Sequence, residues 1–412
     1  MADIPTLTSL SINLNNPKRI TELSGVTSLV ELKISGKEIA DLSPLRGMTK
    51  LQNLNISGSS ATNLNALANL RELKHLKLSN CERISDISGL RNMTNLETLD
   101  LNGCIALVDL SPLQKLPKLK TLNVERAKVS LDGLTNQPSL ESIRMFVWQG
   151  SDLQPLGTIP TMRTVVIKNS VHVTSAAPLS NLKKLEKLDM RDCAKLQDVS
   201  GLGSLPALTQ VSFTGCRALE DISGLQGAPA LETLSLMGCA VVDASPLVDC
   251  PALTKIELRH IYKGKHPFKD VTPFMKMPQL DHLTLTGTKV TPKKAITLSK
   301  TLIHTTIHYG GVSSKQVIPG EPRPLMAHTL ATRRPQWKLN SNGKSIKRTI
   351  KLSDLHQAAR ILKLIADALT PEDSVPKISI STSGMAMTFS TDDENGLDPA
   401  TFELIEKIDN VT

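Results

Sequence analysis

Aromatic residues are scarce. Two Trp, two Tyr and six Phe amount to 2% of the 412 residues. A core built around large rings is thereby excluded, and Leu, Ile and Val must fill the interior. Long apolar runs are missing too, so no segment reads as a membrane-spanning helix. The opening MADIPTLTSLSINL lacks the basic and apolar stretches of a secretory leader and the Arg-rich character of a transit peptide. No CxxC pair occurs among the six cysteines, which removes zinc spacing. No HExxH is present. His304 and His308 fall in a strand-like segment, where four residues span roughly 13 Å, too far for one ion. No metal and no cofactor is expected.

What is present is self-similarity. Compare LETLDLNGCIALVDLSPLQKLPK from Leu96 with LEKLDMRDCAKLQDVSGLGSLPA from Leu185 and LETLSLMGCAVVDASPLVDCPA from Leu231. Units begin at Leu29, Leu51, Leu73, Leu96, Leu119, Leu140, Met162, Leu185, Leu208, Leu231, Leu253, Leu280 and Leu302, with a weaker one at Leu7. Spacing is 21 to 23 residues, except for about five extra between Leu253 and Leu280. In each unit an LxxLxL strand alternates with period two, and an Asp-x-Ser-Pro/Gly-Leu phrase turns the chain. One unit cannot bury its apolar face alone, so the coils must stack.

This pattern resembles leucine-rich repeats, and the short period with DLSPL resembles the internalin-like subclass. The resemblance implies an α/β leucine-rich repeat solenoid of about 13 repeats over residues 1–311, with a parallel concave β-sheet. Cys81, Cys104, Cys193, Cys216 and Cys239 share one repeat position, eight residues after the first Leu, and read as a buried packing ladder. Cys250 lies in a loop before Pro251. Reduced thiols suit an intracellular compartment, cytoplasmic or organellar, mitochondrial if a leader has been removed.

Solenoids of this kind bind through outward positions between the strand leucines. Arg144, Phe146, Lys168, Lys187, Arg191 and Arg259 are the candidates for gripping a protein, because Arg and aromatic side chains are favoured at interface hot spots. Asp189 and His304 count among the outward positions, and Trp148 takes the repeat position where other units place Cys. Charge adds a second candidate. Residues 251–351 carry 19 Lys/Arg against 4 Asp/Glu, while residues 352–412 carry 4 against 11. Tyr262, Lys263, Lys265, Phe268, Lys269, Lys293, Lys294, Arg333 and Arg334 in or beside the basic stretch would suit RNA, the rings for stacking and the cations for phosphates.

The repeats stop near Gly310. Residues 312–325 read as a Pro-rich basic linker, and 326–412 as a small α+β domain in the order strand, strand, helix, strand, strand, helix. Its hairpin signals are Asn342-Gly343 and Ser383-Gly384. Trp337, Arg348-Thr349-Ile350, Asp354-Leu355, Ala358-Ala359, Pro376, the run Thr391 to Leu397 and Ile408-Asp409 resemble the pterin-4a-carbinolamine dehydratase family. That resemblance implies a catalytic signature of an acidic residue followed by His-His-Pro, then Thr-His-Asp. Here the two read Asp373-Ser374-Val375-Pro376 and Thr391-Asp392-Asp393. Ser374, Val375 and Asp392 replace the imidazoles, and each lost acid/base group typically costs about 10²–10⁴-fold. Nor is the acidic turn a Ca²⁺ loop: with Gly396 at the sixth position, the first is Thr391 and the twelfth Phe402, neither a carboxylate.

The expectation is therefore a non-catalytic scaffold. It would hold a protein partner within a larger complex, and dock or self-associate through a pseudoenzyme module. The alternative is an RNA-binding subunit of a ribonucleoprotein assembly. No membrane association is expected.

Overall fold

The computed structural model describes residues 7–14, 17–259, 268–309, 312–314, 338–339, 345–350, 377–381 and 384–390. The chain divides into two compact units, Met1–Leu280 with Thr288–Thr291, and Asp281–Gly287 with Pro292–Thr412.

In the first unit each repeat contributes one short strand. They are β1 (Ser9–Asn13), β2 (Glu31–Ser35), β3 (Asn53–Ser57), β4 (His75–Ser79), β5 (Thr98–Asp100) and β6 (Thr121–Asn123), continuing through β7 (Ser142–Phe146), β8 (Thr164–Lys168), β9 (Lys187–Arg191), β10 (Gln210–Ser212), β11 (Thr233–Ser235) and β12 (Lys255–Glu257). Each pairs in parallel with the next. The register puts Leu76 beside Leu99 and Leu188 beside Val211, so one inward row runs the length of the sheet. From Leu32 on β2 to Ile256 on β12 every member is at most 3% exposed, while Leu10 on β1 is half-buried. Burying one such side chain contributes about 1.5–3 kcal/mol, and only stacked coils supply the cover. The weak unit at Leu7 forms β1.

The Asp-x-Ser phrase explains the opposite side of each coil. Asp41 Oδ1 accepts from the Ser43 amide at 2.8 Å, and Ser43 Oγ donates to Oδ2 at 2.7 Å. Asp109 with Ser111, Asp221 with Ser223 and Asp243 with Ser245 repeat both bonds. The bonds hold one 3₁₀ turn, Pro suits its early position by fixing φ, and the Leu that follows is buried, as at Leu45, Leu113 and Leu247.

A second periodic feature sits just after the strands. Gly58, Asn80, Gly103, Arg126, Val147, Asn169, Asp192, Gly215 and Gly238 all have positive φ, between 51° and 79°. Glycine and Asn suit that region, whereas a β-branched residue is an outlier there. Val147, at φ 57°, is that outlier.

The second unit contains β13 (His282–Thr284) parallel to β14 (Thr306–Tyr309), with the helix Pro292–Thr301 between them in sequence. Val312–Ser314, read above as the start of the linker, forms β15 antiparallel to β14. Its other sheet is antiparallel, ordered β16 (Lys338–Leu339), β17 (Ser345–Ile350), β19 (Gly384–Ser390), β18 (Lys377–Ser381). Ser381 pairs with Gly384, so the two strands form the expected hairpin, but Gly384 opens β19 and is not a turn residue. The two helices expected in this module lie outside the described residues. No helix among the described residues is long and apolar enough to cross a membrane.

Candidate protein-interaction face

The outward strand positions form rows, because the register never slips. Arg144 on β7 stands beside Val166, which stands beside Asp189. Phe146, Lys168 and Arg191 form the adjoining row. Thus five of the six candidate residues fall on three consecutive strands, and Arg259 follows β12. From β7 to Arg259 the outward positions carry six cations, Arg144, Lys168, Lys187, Arg191, Lys255 and Arg259, against Asp189 and Glu257. From β1 to Glu125 they carry Lys33 and Lys77 against Glu31, Asp100 and Glu125. The face is therefore basic at one end and close to neutral at the other.

Asp189 differs from the expectation: it is 3% exposed, although it points from the outward side of its strand. A buried carboxylate needs partners, and it has them. Arg191 donates through Nε to Oδ1 at 2.8 Å and through Nη2 to Oδ2 at 2.6 Å. Lys168 Nζ stands 3.7 Å from Oδ2. The hydrogen bonds that Arg191 donates to Asp189 hold its guanidinium above its ordinary value. The two-pronged geometry fixes Arg191 as well as charging it. Arg144 Nε pairs with Glu125 at 3.3 Å. Lys187 is exposed and has no ion pair among the described residues. His304 lies in the turn before β14, not on the strand.

Two depressions mark the face. One, of about 310 Å³, lies over β2 to β5 and is lined by Glu31, Asn53, Asn55, His75, Lys77 and Asp100. The other, of about 330 Å³, lies over β9 to β12. Its walls are matched: Lys187 and Asp189 on β9 face Lys255 and Glu257 on β12. Between them β10 and β11 present only Gln210, Ser212, Thr233 and Ser235 outward. Thr214 Oγ1 contacts Ser212 Oγ at 3.2 Å and Ser235 Oγ at 3.0 Å. This hydroxyl floor escapes a sequence reading that looks for charge and aromatic rings. Its signal is the pattern Lys-x-acid, Gln-x-Ser, Thr-x-Ser, Lys-x-acid at one position of four successive repeats.

Phe146 is half-buried on the rim, and Trp148 fills the repeat position of the cysteines at 2% exposure. Its indole Nε1 donates to the Val129 carbonyl at 2.8 Å, and its amide to Ser170 Oγ at 3.2 Å. The true cysteines likewise donate to the preceding coil, as Cys104 Sγ to the Leu78 carbonyl at 3.5 Å and Cys239 Sγ to that of Phe213 at 3.0 Å. Burial pushes the Cys104 and Cys239 thiols up to about 12. The hydrogen bond with Cys193, together with burial, raises the Cys216 thiol. Cys250 is buried too, its thiol donating to the Leu225 carbonyl at 3.4 Å.

The basic candidates fare differently. Phe268 is fully buried, its ring centroid 5.7 Å from that of Phe274, and is not available to stack on a base. The sequence places it at the end of the insert, where the chain must re-enter the core with its largest apolar group. Lys269, Lys293 and Lys294 are exposed. Tyr262, Lys263, Lys265, Arg333 and Arg334 lie outside the described residues, as do Ser374, Val375 and Asp392. No group of three or more His, Cys, Asp or Glu side chains suited to a metal ion occurs among the described residues.

Comparison with known proteins accords with both halves of this picture. Leucine-rich repeats match residues 71–115, and the pterin 4 alpha carbinolamine dehydratase family matches residues 323–411. The chain carries a repeat solenoid and a dehydratase-like C-terminal domain. An internalin of Listeria monocytogenes is similar in structure, with 23% identity and a TM-score of 0.53 over 74% of this chain and 83% of that one. A leucine-rich repeat protein of Leptospira interrogans aligns at 16% identity and a TM-score of 0.50, over 74% of this chain and 91% of its own. At these identities the likeness concerns the fold. No curated protein matches the chain.

Proposed function

We propose that the chain is a non-catalytic scaffold whose strand face, from β7 to β12, holds a protein partner inside the cell. The observation that carries this reading is the prearranged basic row beside Phe146. Arg191 is locked by a buried Asp189, so little side-chain entropy is lost when a partner arrives. The dehydratase-like module then serves to dock or self-associate. Its family's proton transfers need imidazoles, and Ser374, Val375 and Asp392 stand in their places. Residue-resolved cross-linking in the native cell tests the first claim. Cross-links to one partner should cluster on β7–β12 and disappear with Phe146→Ala and Arg144→Ala, while cross-links spread evenly over the surface would refute it. A carbinolamine dehydration assay tests the second, since turnover abolished by Asp392→Ala would mean an enzyme.

RNA contact is the alternative, supported by exposed Lys269, Lys293 and Lys294 within a strongly basic stretch. It predicts binding that weakens steeply with salt. The buried Phe268 removes one of its two stacking rings.

A further inference from the structure

We infer that the depression over β9–β12 is a docking site for an extended acidic segment of a partner protein, whose carboxylates seat between Lys187 and Lys255 over the hydroxyl floor. The inference rests on the scaffold reading and adds the chemistry of the ligand.

Charge comes first. Asp189 is already matched by Arg191 and Lys168, so its negative charge is spent within the protein. Lys187 has no such match among the described residues. Lys255 is held by Glu257 at 3.0 Å, but the two side chains are 46% and 31% exposed, and such surface pairs are weak and easily exchanged. One wall thus offers a free ammonium and the other a releasable one.

Hydrogen bonding comes second. Ser212, Thr214 and Ser235 together carry three hydroxyl protons, and their two mutual contacts use two of them. The third donor has no partner among these three hydroxyls and can take an acceptor from outside the trio. A carboxylate or a backbone carbonyl supplies one. Nucleic acid fits poorly, because no aromatic ring lines the depression for a base to stack on.

The test uses the full chain and fluorescence anisotropy. The probe is a labelled peptide of Glu, Ser and Gly with Glu at every fourth position. Controls are the same peptide with Gln for Glu, and a single-stranded RNA of mixed sequence. The acidic peptide should bind saturably at low salt, with the Gln peptide weaker by about tenfold or more. Lys187→Glu should weaken it by about tenfold, while Lys33→Glu on β2 should change it by less than about twofold. Both variants must keep the wild-type circular dichroism and unfolding midpoint. Equal binding of the Gln peptide, indifference to Lys187→Glu, or displacement by RNA at lower concentration would each overturn the inference. A native partner cross-linked to β7–β12 yet not displaced by the peptide would sink this inference and leave the scaffold standing. Lys187-dependent peptide binding with no partner on the face would sink the scaffold alone.

Discussion

Gly150 exists to make room for Trp148. A Cβ on residue 150 would lie 2.1 Å from Cζ2 of the Trp148 ring. The pair shows how one coil swaps a cysteine for the largest side chain without disturbing the stack. Trp148→Ala should destabilise the repeat unit by about 3–5 kcal/mol, through lost burial and an orphaned Val129 carbonyl. Gly150→Ala should cost about 1–3 kcal/mol by overpacking. Denaturant unfolding followed by circular dichroism checks both.

Val147 is a strained residue with a simple cure. Its φ of 57° lies close to the 53° of Asn80 and the 51° of Asn169 at the same repeat position, and it is 39% exposed. Val147→Asn should therefore raise stability by about 1 kcal/mol. If partner affinity falls as stability rises, the strain serves to present Val147 beside Phe146, and the two measurements together separate packing from recognition.

Truncating Arg191 leaves a nearly buried carboxylate with only Lys168 at 3.7 Å. Arg191→Ala should cost about 2 kcal/mol, less than a fully buried pair would because Arg191 is half in water. Arg191→Lys should restore little of it, since an ammonium cannot make both bonds. The shift of the unfolding midpoint in urea measures each.

All six thiols should be silent in the folded protein. They are buried, and burial holds Cys104 and Cys239 near 12. At about pH 8 the thiolate fraction at those two is negligible. A disulfide reagent should give no colour until denaturant is added, and then six equivalents.

Acid should act through the turns. Hydrogen bonds from Ser43 and Ser88 hold Asp41 and Asp86 below the ordinary aspartate value of 3.8, and those from Ser175 and Ser200 do the same for Asp198. A depressed folded value means that the stabilisation is fully present above the unfolded value and is lost as pH falls through the folded one. Stability should therefore hold from neutral pH down to about 4 and decline below it. Replacing the three with Asn, which keeps an acceptor and removes the titration, should flatten that decline in melts recorded across acidic pH.

Much of this was legible beforehand, for a physical reason. A solenoid repeats its environment, so an alternation read once is read a dozen times. Arg144, Lys168, Lys187 and Arg191 could be placed on one face by period two alone. What escaped depended on neighbours that the pattern of a single repeat does not reveal. Asp189 looks like any outward acid in KLDMR until Arg191 is seen to grip both its oxygens, with Lys168 of the coil before it 3.7 Å away. Phe268 looks like a stacking ring until Phe274 is found beside it. The hydroxyl floor has no signature within a single repeat and emerges only when four coils are laid side by side.

The even spacing of those coils has a further consequence. Neighbouring strands lie about 4.8 Å apart, while an extended segment laid across them advances about 3.4 Å per residue. The two rulers disagree almost everywhere, but four residues of the segment nearly equal three steps of the sheet. A side chain seated on β9 is therefore followed, four residues on, by one seated on β12, with the intervening same-side residue above the gap between β10 and β11. The face behaves as a vernier. It selects partners by the interval between their charges, and a segment whose acids stand two or three apart would meet only one wall at a time.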